Sequence, residues 1–166
     1  PQNAPRPAKS KRRARLSVVD GNAALAPDPD AEPLPQSMSE DALADHFAVE
    51  YGENWRYVKR WDKWLKWNGD SWLNDETNEA FSVARDLCRA ASYWPDAASL
   101  TPVSKRQLGQ RRMAANVRDM AGADRRIAAT VDQWDTDPWL LGVPGGVVDL
   151  RDGSMLQATR EQYISK

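Results

Sequence analysis

The chain is 166 residues long, with a formal net charge of −1, one cysteine and one histidine. That balance excludes a polycation held to nucleic acid by its overall field, so any such affinity has to come from a local patch. A single cysteine, Cys88, excludes an intrachain disulfide and a cysteine-built zinc site, and no apolar run of about 18 residues is present to form a transmembrane helix.

Residues 1–36 hold seven of the eleven prolines and no aromatic residue. Such a segment buries too little apolar surface to offset its ordering entropy, and it reads as a disordered linker. Its charge is segregated. The basic block "KSKRRAR" (Lys9 to Arg15) comes first, and Asp20, Asp28, Asp30 and Glu32 follow. The block is either a nucleic-acid contact or part of a solvated linker. No apolar stretch lies behind it, so it is not a secretory signal. Pro1 is not a natural start, and the chain is expected to be a piece of something longer.

Residues 37–166 carry all eight tryptophans and are expected to form one modest core. Ser37 followed by Glu40 has capping-box spacing, which predicts a helix starting there. Leu43, Phe47 and Tyr51 fall at i, i+4 and i+8 and make one buried stripe. Gly52 is the natural stop. His46 lies beside that stripe and reads as a partly buried or surface residue, because no partner set for a metal is visible.

The period then changes. "WRYV" and "WLKW" are rich in β-forming residues, and "NGD" is a hairpin turn. A turn on Asn68-Gly69 sets Leu65 opposite Trp72, and a turn on Gly69-Asp70 sets Trp67 opposite Trp72. Either register puts Trp64 and Trp67 on opposite faces of one strand. The four tryptophans of "RWDKWLKWNGDSW" therefore do not form one stacking platform. They are expected to pack a small sheet, with Trp61 left free at an edge.

Asn74 or Asp75 is the expected cap of a second helix with Phe81, Ala84, Leu87, Cys88, Ala91 and Trp94 on its apolar side, ended by Pro95. Thr101-Pro102 is an N-cap with proline at the first helical position. It opens a third helix carrying Leu108, Met113, Val117 and Met120, with Gly122 as its stop. A short helical turn is expected around Ile127 to Val131. After Pro138 come "WLLGV", a Pro144-Gly145-Gly146 turn, "VVDL", an Asp152-Gly153 turn and "SMLQA". The whole is α+β: a small, mostly antiparallel sheet (hairpin near 56–73, strands near 139–158) packed with a helical middle segment.

No G-x-x-x-x-G-K-[ST] loop is present to cradle phosphates, so no nucleotide hydrolysis is expected from this chain alone. Asp135-Thr136-Asp137 is a D-x-D, able in principle to hold a divalent metal. The alternative is ordinary turn use, since Pro138 follows. Asp149 inside "VVDL" has to face solvent or find a donor such as Arg151 or a backbone amide. Basic residues gather on and after the third helix: Lys105, Arg106, Arg111, Arg112, Arg118, Arg125 and Arg126. Lys105, Arg112 and Asp119 share one seven-residue stripe, and Arg111, Arg118 and Arg125 share another. This is either a phosphate-tracking face or a solvated one. Lys59, Arg60, Lys63 and Lys66 around the tryptophans make a second candidate.

Taken together, "RYVKRWDKWLKWNGDSW", Asp75, a helical stretch, "DQWDTDPWLLGVPGGVVDLRDG" and a closing "YISK" resemble the phage/plasmid primase–helicases. The chain is most similar to the poxvirus primase-type N-terminal-like domain that precedes their superfamily-three helicase module. The resemblance covers about residues 41–166 and rests on two long motifs in order. It departs at Gly142, where asparagine is common, and at Ser165, where threonine is common.

The resemblance implies a plan of priming module, linker, this domain and hexameric ATPase. The chain would then be a fragment with neither catalytic centre and no cofactor of its own, with Mg-ATP held by the helicase module. The expected function is non-catalytic: assisting helicase oligomerisation and guiding single-stranded or forked DNA in a bacterial cytoplasm, with the helicase and priming modules as partners and no membrane. The DNA-contact residues would be Lys105, Arg106, Arg111, Arg112, Arg118, Arg125, Arg126, Lys63 and Lys66. Two alternatives remain: a metal-dependent primase using Asp135 and Asp137, and an oligomerisation collar without DNA contact.

Overall fold

Helix α1 (Glu40–Tyr51) starts on Ser39, whose hydroxyl accepts from the Ala42 amide at 3.1 Å. This corrects the expected start at Ser37. Ser37 instead lies in a 3-10 turn (Gln36–Met38) and donates its hydroxyl to Asp96 at 2.6 Å. Two serines two residues apart both offer a cap; Ser39 is the one used, and Met38 between them is buried. The computed structural model describes residues 36–165. The expected disordered linker, except Gln36, and its basic block lie outside the described residues.

After α1 the chain runs through β1 (Trp55–Val58), β2 (Lys63–Trp67) and β3 (Trp72–Asn74) as an antiparallel meander. Trp67 pairs opposite Trp72 and the Asn68 amide donates to Ser71 O at 3.1 Å, so the Gly69-Asp70 register is the one formed. Gly69 takes φ +112°, which a side chain would resist.

Helix α2 (Glu79–Ala91) follows. The third helix is in fact two, α3 (Pro102–Leu108) and α4 (Arg111–Ala123), broken at Gly109 and Gln110. Thr101 caps α3 as expected, accepting from the Ser104 amide. Gly122 is not the stop but an interior position of α4, whose C-cap is Asp124. The absent side chain there lets α4 lie against Tyr57 and Trp64; a Cβ would sit 3.0 Å from one ring and 3.2 Å from the other.

The expected helical turn at Ile127 to Val131 is instead a short strand, β4 (Ala128–Ala129), parallel to β1, then a 3-10 turn (Val131–Gln133). This completes a four-stranded sheet of order β3-β2-β1-β4. The late strands β5 (Leu140–Val143), β6 (Gly146–Asp149) and β7 (Ser154–Leu156) make a separate antiparallel sheet. The fold is α+β with two small sheets. Among the described residues no helix is long and apolar enough to cross a membrane.

Alternation along β1 and β2 gives the larger sheet two packed faces. Trp64 and Tyr57 pack against the helices, in a core that includes Leu43, Phe47, Leu87, Cys88 and Val117. Val58, Leu65 and Trp72 point the other way, into a smaller core with Ala129 and Trp134. The C-terminal segment seals that second core. The Trp72 amide donates to Ile164 O at 3.0 Å, and the Tyr163 ring stacks on Trp72 with an interplanar angle of 18°. The expected split of the tryptophans between two faces is thus observed.

Candidate nucleic-acid interface

The break at Gly109 and Gln110 divides the Lys105, Arg112 and Asp119 stripe between two helices, while Arg111 and Arg118 stay together on α4 and Arg125 falls past its end. The break makes a corner. Lys105 and Arg106 end α3, and Arg111 and Arg112 begin α4. All four are exposed, and none of their side chains has an ion pair or hydrogen bond among the described residues. Cations at the end of α3 suit the negative end of its dipole. Those at the start of α4 oppose the positive end, where carboxylates are usual. The first turn of α4 has no acidic residue, and Gln110 makes no side-chain cap bond. Orphan backbone amides and two guanidinium groups therefore share one end without a counter-charge from the described residues.

Three of the expected contact residues are committed elsewhere. Arg118 donates from Nε and Nη2 to Asp119 at 2.9 and 2.6 Å, donates to Asn78 at 3.2 Å, and lies 6.0 Å from the Phe81 ring centre. Arg126 bridges Asp45 on α1 and Asp124 after α4. This pairing draws the Asp124 carboxyl down to about 2, mainly through the bond from Arg126. Lys66 is paired to Glu79 and sits 5.6 Å from the Trp55 ring centre. Arg125 is exposed and unpaired among the described residues but stands past the far end of α4, roughly 20 Å along the axis from Arg111.

Lys63 belongs to a second basic site at the β1–β2 turn, with Lys59 and Arg60. All three are exposed and have no ion pair among the described residues. Lys59, Lys63 and Arg118 line one groove together with Tyr57 and Trp64. The turn is held by Tyr57, whose hydroxyl donates to Asp62 at 2.6 Å. That bond is the main reason the phenol is pushed up to about 12. His46 is exposed, beside Glu50 at 3.1 Å and the Trp94 ring at 5.1 Å.

The two carboxylates of the D-x-D serve different neighbours. Asp135, at φ +49°, accepts from the Ser165 amide at 3.0 Å and the Ser165 hydroxyl at 2.6 Å. Asp137 accepts from the Trp139 amide and from Arg151, and the two bonds in that order hold its carboxyl below the usual range. Arg151 also supplies the donors expected for Asp149, through its amide at 2.9 Å and its guanidinium at 3.1 Å. Among the described residues no group of three or more histidine, cysteine, aspartate or glutamate side chains is arranged to hold a metal. Gly142 pairs opposite Val147 in the smaller sheet.

Two arginines escaped the sequence reading. The Arg56 guanidinium lies 4.8 Å from the Trp72 ring centre and its Nε donates to the Tyr163 hydroxyl at 3.2 Å. Arg160 sits 5.9 Å from the Trp67 ring centre and donates to Asn54. The bonds to Tyr163 and Asn54 reach 107 and 106 positions along the chain, so no local pattern marks them.

A family model described as "D5 N terminal like" matches residues 44–166, a span that takes in both sheets and both basic sites. No curated protein matches the chain.

Proposed function

Because the chain belongs to the D5 N terminal like family, the domain of phage/plasmid primase-helicase proteins, we propose that it is a non-catalytic part of such a replication protein. In this reading it assists assembly of an adjoining helicase module and guides single-stranded DNA. Mg-ATP would be held by that module, in a homo-oligomeric protein of the bacterial cytoplasm. The observation that carries the DNA contact is the α3–α4 corner. Lys105 and Arg106 end α3 and Arg111 and Arg112 begin α4, beside a helix start with no side-chain cap and no acidic residue in its first turn. A phosphate would supply the missing anion.

Neutralising four phosphates of a single strand at this corner contributes about −3 to the slope of log affinity against log salt. Fluorescence anisotropy of a labelled oligothymidine at stepped salt measures it. Replacing Arg111 and Arg112 by alanine is expected to flatten the slope by about 1.4, with little change in stability. An unchanged slope removes the corner from the interface. No binding even at low salt leaves the collar without DNA contact. The primase alternative gains no support from Asp135 and Asp137, since Ser165 and Arg151 already occupy their oxygens. Mg-dependent, template-directed synthesis that disappears in Asp135→Ala would reinstate it.

A further inference from the structure

Tight turns favour small or polar residues whose side chains lie easily in water. The β1–β2 turn carries an indole instead: Trp61 is 37 % exposed. Its inner side is backed by Trp134, with ring centres 5.7 Å apart, and Trp134 in turn contacts Trp72 and Tyr163. The platform is therefore supported from behind and loses little freedom when something stacks on it. Asp62, the next residue, sits at φ +53° without being glycine, and the Tyr57 hydroxyl holds it there. Aspartate adopts that conformation readily in a turn, and the bond from Tyr57 fixes the shape of the turn that carries Trp61. Lys59, Arg60 and Lys63 flank the indole in sequence, are exposed and pair with no carboxylate among the described residues, and Lys63 lines a cleft with it.

That cleft continues past Trp67 and Leu73 to Asn68 at the next turn. Of its acidic groups, Glu79 is paired to Lys66, and Asp75 accepts amide bonds from α2. Glu76 is the one left without a partner among the described residues. The cleft itself carries Lys63 and the paired Lys66 beside the carboxylates of Asp75, Glu76 and Glu79, so the unpaired cations belong to the turn, where Lys59, Arg60 and Lys63 flank an exposed ring in sequence. That is the chemistry of a single-strand stacking site.

We propose that the β1–β2 turn stacks a base of single-stranded DNA on Trp61 while Lys59, Arg60 and Lys63 hold the adjoining phosphates. This rests on the DNA-binding reading above and adds a contact to bases where the α3–α4 corner reads only phosphate. The two separate by experiment with an oligothymidine and an abasic strand of equal length, which share phosphates and differ in bases. The unsubstituted chain should bind the oligothymidine about tenfold tighter. Trp61→Ala should bring that ratio close to one and leave abasic affinity unchanged. Trp61→Phe, which keeps a ring against Trp134, should retain part of it. Replacing Lys59, Arg60 and Lys63 together should weaken both strands alike. Equal binding of the two strands by the unsubstituted chain, or a ratio untouched in Trp61→Ala, overturns the stacking site and leaves the phosphate contact standing. Absence of binding to either strand overturns both.

Discussion

Asp75 shows how a single carboxylate sets a local structure. It accepts from the amides of Thr77, Glu79 and Ala80 at 3.2, 2.8 and 2.9 Å, and so satisfies the start of α2 from outside the helix. Asn78, the residue before the helix, is left-handed and makes no cap bond. Asp75→Ala should cost about 1–2 kcal/mol, read as a lower urea midpoint. Asp124 is the acid-sensitive counterpart. Its pKa falls from 3.8 to about 2 in the folded chain, so its contribution is complete above 3.8 and is lost as pH drops through about 2. The stability gap between the parent and Asp124→Asn, followed by urea unfolding across that window, should close toward the acid end. Asp75 was legible as a cap because its amides are neighbours in sequence. Asp135 was not, because Ser165 is 30 positions away.

At the scale of elements, α4 is set by contrasting glycines. Gly109→Ala meets nothing closer than 3.6 Å and its φ of −80° suits any residue, so it should stabilise by about 0.5 kcal/mol. Gly122→Ala gains the same helix propensity but drives a methyl onto Tyr57 and Trp64. Tyr57 is held by Asp62, and Trp64 packs on Phe47, Trp55 and Tyr57, so either ring yields only by giving up those contacts. Overpacking should win, with a net loss of about 1–2 kcal/mol in thermal melts. Local chemistry made the first hairpin, the α3 cap and the late meander legible. The break at Gly109 does leave a mark, a five-residue step from Leu108 to Met113 where one helix face would need three or four, but a single glycine inside a helical run is not by itself a stop. The strand β4 was hidden because a two-residue parallel pairing leaves no period to detect. The division into two sheets depends on long-range placement that alternation does not encode.

For the whole molecule, the larger sheet is a wall shared by two cores, and neither closes without it. Leu65 is 2 % exposed on one face while its neighbour Trp64 fills the other. Leu65→Ala should therefore cost roughly 3 kcal/mol and lower both cores together. Far-ultraviolet circular dichroism, which follows the helices, and tryptophan emission, which follows the rings, should give one coincident unfolding transition. Separate midpoints would mean that the cores melt independently. The ring contacts that close the second core also have an optical consequence. Trp67, Trp72, Trp134 and Trp61 follow one another at centre separations of 5.5, 6.0 and 5.7 Å. Indoles this close pass excitation along before they emit, so light absorbed by a buried member is delivered to the others. Trp61 is the solvent-facing terminus of that relay, and a base resting on it would dim the whole series, giving the protein an unlabelled fluorescent report of its own occupancy.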